Sequence, residues 1–138
     1  MKKIFLALCV MLFISSVSVV SADEELPEWI TREQEVWVDE GIIYARGSAK
    51  MATVMVSIDA AQTRARYNLS RALANNEITA YSPIPADTKT RTTLTFDNKS
   101  FEVGRIAVIE RFIANDNTAY ILLLCIGAEI KRTEGVTQ

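Results

Sequence analysis

Histidine is absent from the 138 residues. That removes the usual general base at neutral pH and the commonest metal ligand. A Ser-His-Asp or Cys-His arrangement cannot be assembled without it. Cysteine is scarce: Cys9 and Cys125 are the only two. Cys9 falls inside an N-terminal leader, Met1 to Ala22, so Cys125 has no partner for an intrachain disulfide. It stands in Tyr120-Ile121-Leu122-Leu123-Leu124-Cys125-Ile126, a wholly apolar run that predicts a buried, inert thiol. Glycine is sparse too. Gly41 and Gly47 are too far apart for a phosphate loop, and no Gly-Lys-Ser/Thr comes after them. Positive charge does not gather into a stripe, and the formal net charge is −2. That leaves no electrostatic footprint for nucleic acid. Carboxylates are present, but Asp97, Glu102 and Asp116 read as turn chemistry rather than as a metal cage. Glu102 and Glu110 could act as an acid–base pair only in a cleft that a chain of this size rarely forms. The expectation is a protein with no catalytic residue, no metal site and no cofactor.

The leader is an export signal. Lys2 and Lys3 precede an apolar core from Ile4 to Ile14, and Val20-Ser21-Ala22 offers small residues for cleavage before Asp23. The apolar run is shorter than the ~20 residues that span a bilayer, and Ser15, Ser16 and Ser18 dilute it. Leu8 is bulky where a lipidation motif needs a small residue, so Cys9 reads as part of the leader. The 116 residues left (138 less 22) carry thirteen Lys and Arg against seventeen Asp and Glu, a balance of −4. They suffice for one domain with one core. No transmembrane segment is expected in them.

We divide the chain into a signal peptide (1–22), an acidic N-terminal arm (23–35), a single domain (36–130) and a polar tail (131–138). Val36-Trp37-Val38 predicts a short strand, Asp39-Glu40-Gly41 a turn, and Ile42 to Arg46 a second strand. Gly47 and Ser48 are read as its end, with Ser48 able to cap the next element. That element is a long alanine-rich helix. Val54, Ile58, Ala61, Ala65, Leu69 and Ala72 recur at intervals of four, three, four, four and three, which places them on one face. Small side chains at Ala61 and Ala65 would bring the helix axis close to a sheet. Gln62, Thr63, Arg64, Arg66, Asn68 and Arg71 fill the rest of its surface. The start lies between Lys50 and Ser57, and Asn75-Asn76 ends it. Ile78 to Tyr81 reads as a strand, with an irregular stretch after it at Pro83 and Pro85.

From Arg91 the period becomes two. Leu94 and Phe96 alternate with Thr93 and Thr95, and Asp97-Asn98-Lys99-Ser100 supplies a turn. Phe101 to Ala114 and Thr118 to Ile130, joined by Asn115-Asp116-Asn117, predict a long antiparallel hairpin. The fold class is α+β, one long helix packed on an antiparallel sheet of about four strands. The last strand is apolar on both faces from Ala119 to Ile126. An antiparallel sheet covered by one helix leaves its other face wet, so something else covers this one: Trp29, Trp37, the proline loop or another subunit. Leu122, Leu124, Ile126, Trp29 and Trp37 are the expected interaction surface, and Arg64, Arg66 and Arg71 the expected contacts for an acidic ligand or partner. A second expectation is a ligand cavity between helix and sheet, lined by Tyr44, Tyr67, Phe112 and Tyr120.

Pro27, Trp29 and Gly41, then Tyr44-Ala45-Arg46-Gly47-Ser48-Ala49, then Ala60, Ala61, Ala65, Arg66 and Leu69 on a helix form a pattern. It resembles the LPP-twenty type of small bacterial envelope lipoproteins over Pro27 to Leu73. There a Y-A-x-G-x-A strand end precedes an A-x-x-x-A-R-x-x-L helix. The resemblance implies a compact α+β module of the periplasm or outer membrane, without enzyme activity. Some members of the family help build rings around the flagellar basal body. The family's lipidation cysteine has no counterpart here, which leaves a soluble periplasmic protein or one held at the membrane by partners. The expected function is an exported, non-enzymatic envelope module acting through protein partners or self-association. The alternative is a soluble periplasmic domain that binds a small ligand.

Overall fold

The computed structural model of the chain describes residues 24–131. The signal peptide, Cys9 and the polar tail beyond Lys131 lie outside the described residues. Two antiparallel sheets and one long helix make an α+β fold. The larger sheet contains β1 (Val36–Asp39), β2 (Ile42–Ala49), β5 (Ile106–Ile113) and β6 (Ala119–Cys125), in the order β1-β2-β6-β5. The smaller contains β3 (Thr92–Phe96), β4 (Lys99–Val103) and β7 (Ala128–Lys131), in the order β3-β4-β7. A single turn, α1 (Glu28–Thr31), lies in the arm, and α2 (Val54–Ala74) is the long helix.

The expected long hairpin is present, and its bend explains why there are two sheets rather than one. Phe101 pairs with Ile130 and Val103 with Ala128; Ile106 pairs with Cys125 and Val108 with Leu123. The register is unchanged from one pair of strands to the other, so β4–β5 and β6–β7 form one ribbon. It bends where the Gly104 N–H donates to the Gly127 carbonyl at 3.1 Å and the Ile126 N–H to the Arg105 carbonyl at 3.0 Å. Gly127 has φ +75°, and a Cβ there would lie 2.7 Å from the Cα of Ile84. Ile84 is buried, so the proline loop is packed into the bend. Residues 78–81, expected as a strand, are irregular: the chain there runs towards this loop instead of pairing.

Both short hairpins use paired left-handed residues, Glu40 with Gly41 and Asp97 with Asn98. Their twist matches that of the strands they join. β2 does not stop at Gly47-Ser48 but continues to Ala49. Ile43, Ala45, Gly47 and Ala49 face α2, opposite Cys125, Leu123, Ile121 and Ala119 of β6. At Gly47 an added Cβ would lie 2.9 Å from the Cα of Ala65. The helix therefore rests on the strand backbone, as expected from the small residues Ala61 and Ala65.

α2 begins at Val54, with Thr53 rather than Ser48 as its cap, accepting from the Val56 N–H at 3.3 Å. Ser57 is its first buried residue and accepts the Met51 N–H at 2.8 Å. Val54, expected in the core stripe, is exposed because the helix start overhangs the sheet. Asn68, expected on the surface, is buried and donates to the Arg46 carbonyl at 2.8 Å. Asn76, at φ +53°, ends the helix as expected, with the Glu77 N–H returning to the Ala72 carbonyl at 2.9 Å.

Candidate interaction surface

The outer face of the large sheet is covered by the protein's own arm. β2 presents Tyr44 and Arg46 on this face, and β6 presents Tyr120, Leu122 and Leu124, since their neighbours face α2. The Arg46 guanidinium donates to the carbonyls of Trp29 (2.9 Å), Ile30 (2.7 Å) and Arg32 (2.7 Å). These are the carbonyls that a single helical turn leaves without partners. At its other end the arm is tied by the Glu24 carboxylate, which accepts the Asn115 N–H at 3.0 Å. Trp37 stacks on Tyr44 with ring centroids 5.7 Å apart, and the Arg32 guanidinium lies 4.7 Å over Trp37.

Beneath this strap Leu122 is only 5% exposed and Trp37 8%. Leu124, Ile126 and Trp29 are half-buried. The Trp29 indole N–H is buried without a hydrogen-bond partner among the described residues. The two-sided apolar character of β6 is thus accommodated within the chain.

Exposed apolar surface lies on the other side of the molecule, along α2. Met51-Ala52-Thr53-Val54-Met55-Val56 carries no charge, and all six residues are exposed, Met55 to 73%. The overhanging helix start is the cause: Ser57 is the first residue of α2 to be buried. Along the same helix, Val56, Thr63 and Tyr67 are exposed, and Ala60 between them is half-buried at the edge of the core. With Asp59 and Arg64 they line an open groove of about 550 Å³. Tyr67 is 53% exposed and meets Phe96 of β3 edge-on, with ring centroids at 5.5 Å. Spacings of four, three and four between these positions are visible in the sequence. The stronger core stripe on the opposite face masks them.

The arginines separate into different roles. Arg71 is held by Glu77 at 3.4 Å and Glu35 at 3.6 Å. Arg64 donates to the Ser48 carbonyl at 3.1 Å. Arg66 is exposed and makes no ion pair among the described residues. The four aromatics do not enclose a ligand cavity. Tyr44, Phe112 and Tyr120 lie on the outer sheet face, and Tyr67 lies on the outside of α2. Between helix and sheet the space is filled by Ala61, Ala65, Leu69, Ile43 and Ile121, all fully buried.

The carboxylates do not converge either. Glu102 sits on β4 against Arg91 at 3.4 Å, whereas Glu110 is exposed on β5 of the other sheet. No group of three acidic or sulfur ligands capable of holding a metal occurs among the described residues. Cys125 is buried, its thiol directed at the Gly127 carbonyl 3.6 Å away. Burial pushes its pKa up to about 12. No described helix is long and apolar enough to cross a membrane. Comparison of the chain with protein-family models, curated proteins and solved structures gives no match.

Proposed function

We propose that this protein is an exported, non-enzymatic module of the bacterial envelope that works by holding other protein surfaces. Its contact face is the outside of α2. The observation that carries this reading is the exposed, uncharged run from Met51 to Val56 and its continuation past the half-buried Ala60 to the exposed Thr63 and Tyr67. Contiguous apolar surface of this kind on a small domain marks a contact site rather than ordinary solvent exposure. The charged leader with its apolar core supports export, and the likeness of Pro27–Leu73 to LPP-twenty lipoproteins supports an envelope setting. Placement in the periplasm, with outer-membrane or flagellar partners, belongs to the same reading.

The test is envelope fractionation of cells producing the full chain, with native electrophoresis of gently solubilised material. A high-mass species is expected for the wild type and should be lost in Met55→Asp and in Tyr67→Asp. Both positions are exposed, so the variants remain folded by circular dichroism. Unchanged migration of both variants would refute the reading.

A further inference from the structure

We infer that the outer face of α2 pairs with the same face of a second copy, the two helices antiparallel about a two-fold axis midway between Ala60 and Thr63. This rests on the reading of that face as a contact surface and names its occupant. Val56, Ala60, Thr63 and Tyr67 repeat at the four-three-four spacing of a helix–helix seam. Reversing the helix about the stated point sets Val56 against the partner's Tyr67, and Ala60 against the partner's Thr63. The branched aliphatic then meets an aromatic ring, and two small side chains meet at the crossing. Small residues there allow the axes to approach to ~8 Å, the close end of the usual range. The seam is self-complementary in order as well as in size, which is the requirement for an isologous contact.

Charge agrees with the same geometry. A two-fold axis perpendicular to both helices sets each flank of the seam against the same flank of the partner. Asp59 and Arg66 lie on one flank, seven residues apart, so Asp59 meets the partner's Arg66 and the pair occurs twice. Both side chains are exposed, and neither makes an ion pair among the described residues. Arg64 lies on the opposite flank, where it would face its own copy. There it is turned back by its bond to the Ser48 carbonyl. Met55, on the flank of Asp59, comes level with the partner's Tyr67, which gives the most exposed apolar side chain of the described residues an aromatic neighbour. The seam covers about three turns, less than the ~1,200 Å² of a standard interface requires on its own. The dimer therefore forms and dissociates with concentration.

Sedimentation velocity of the exported protein, purified from cells making the full chain, tests this across a range of micromolar concentrations. A monomer–dimer equilibrium is expected. Asp59→Arg and Arg66→Asp should each raise the dissociation constant by ~10-fold or more, since like charges then face each other. The double variant D59R/R66D should return it to within ~3-fold of wild type, as coupled charges do in a mutant cycle. A wild type that stays monomeric overturns the proposal, as does a double variant no tighter than the singles. A photo-crosslinker at position 67 in cells then separates the two readings. Transfer to a different protein leaves the contact face standing without self-pairing, and transfer to nothing removes both.

Discussion

The guanidinium of Arg46 lies 2.7 Å from the carbonyl of Ile30, across 16 residues of sequence, and also takes the carbonyls of Trp29 and Arg32. One side chain thus fastens the arm over Leu122 and closes the face of the sheet that the helix leaves open. Hydrogen bonds from a charged donor contribute about 1.5–3 kcal/mol. Arg46→Met should lower the unfolding free energy by roughly that amount and make the arm the first site of proteolysis. All three carbonyls converge on the single Nη1 atom, so Arg46→Lys, whose ammonium also carries its donors on one nitrogen but on a shorter stem, should recover part of the loss. Urea denaturation and limited proteolysis measure both effects.

Gly47 is required by the approach of α2, not by its own backbone angles. A Cβ would meet the main chain of Ala61 and Ala65, which cannot swing aside like a side chain. Overpacking of this kind costs about 1–3 kcal/mol, and Gly47→Ala should fall at or above the top of that range. Thermal denaturation monitored by circular dichroism would show it as a clear drop in midpoint, with Gly47→Val failing to fold.

Gly127 combines a positive φ with contact to the backbone of Ile84. Gly127→Ala should therefore cost more than the ~1 kcal/mol of an ordinary left-handed substitution. It should also loosen the proline loop from the ribbon. Hydrogen exchange at the Ala128 amide, which donates to the Ser82 carbonyl at 3.1 Å, reports that loosening directly.

The Cys125 thiol, pushed up to about 12 by burial, stays protonated in the folded protein above the unfolded value of 9.0. The unfolded chain binds fewer protons than the native one between those values, so stability falls as pH rises through that window. Below pH 9 this contribution is constant. Cys125→Ala, which has no thiol to titrate, should lose less stability between pH 8 and 10 than the wild type. The difference should be about 1 kcal/mol by denaturant titration. In the native protein the thiol should resist alkylation at pH 8 until urea is added.

Much of the fold was legible in the residues because local pattern and tertiary need agree there. Ala61, Ala65 and Leu69 announced the buried helix face and Phe101 to Ile130 a hairpin, while the turn expected over Asp97-Asn98-Lys99-Ser100 is made by Asp97-Asn98 alone, with Lys99 and Ser100 already in β4. Agreement failed where one residue serves a distant one. Gly47 reads locally as a strand end, yet β2 runs through it because the helix needs the missing side chain. Asn68 reads as a surface residue, yet it is buried to satisfy the Arg46 carbonyl. The apolar outer side of β6 was visible, and Trp29 and Trp37 stood among its candidate covers, but nothing in the residues singled out the arm over the proline loop or another subunit. The arm is held through main-chain carbonyls, which leave no side-chain pattern to read. The bend that divides the sheets depends on Gly104 lying opposite Gly127, a relation that exists only once the register is known.

The most direct measurement is site-specific photo-crosslinking in intact cells producing the full chain, comparing a probe at position 67 on the outside of α2 with one at position 122 beneath the arm. The expected result is a strong intermolecular adduct from position 67 and only intramolecular products from position 122. Intermolecular adducts from position 122, with none from position 67, would place the contact face on the sheet and contradict the account.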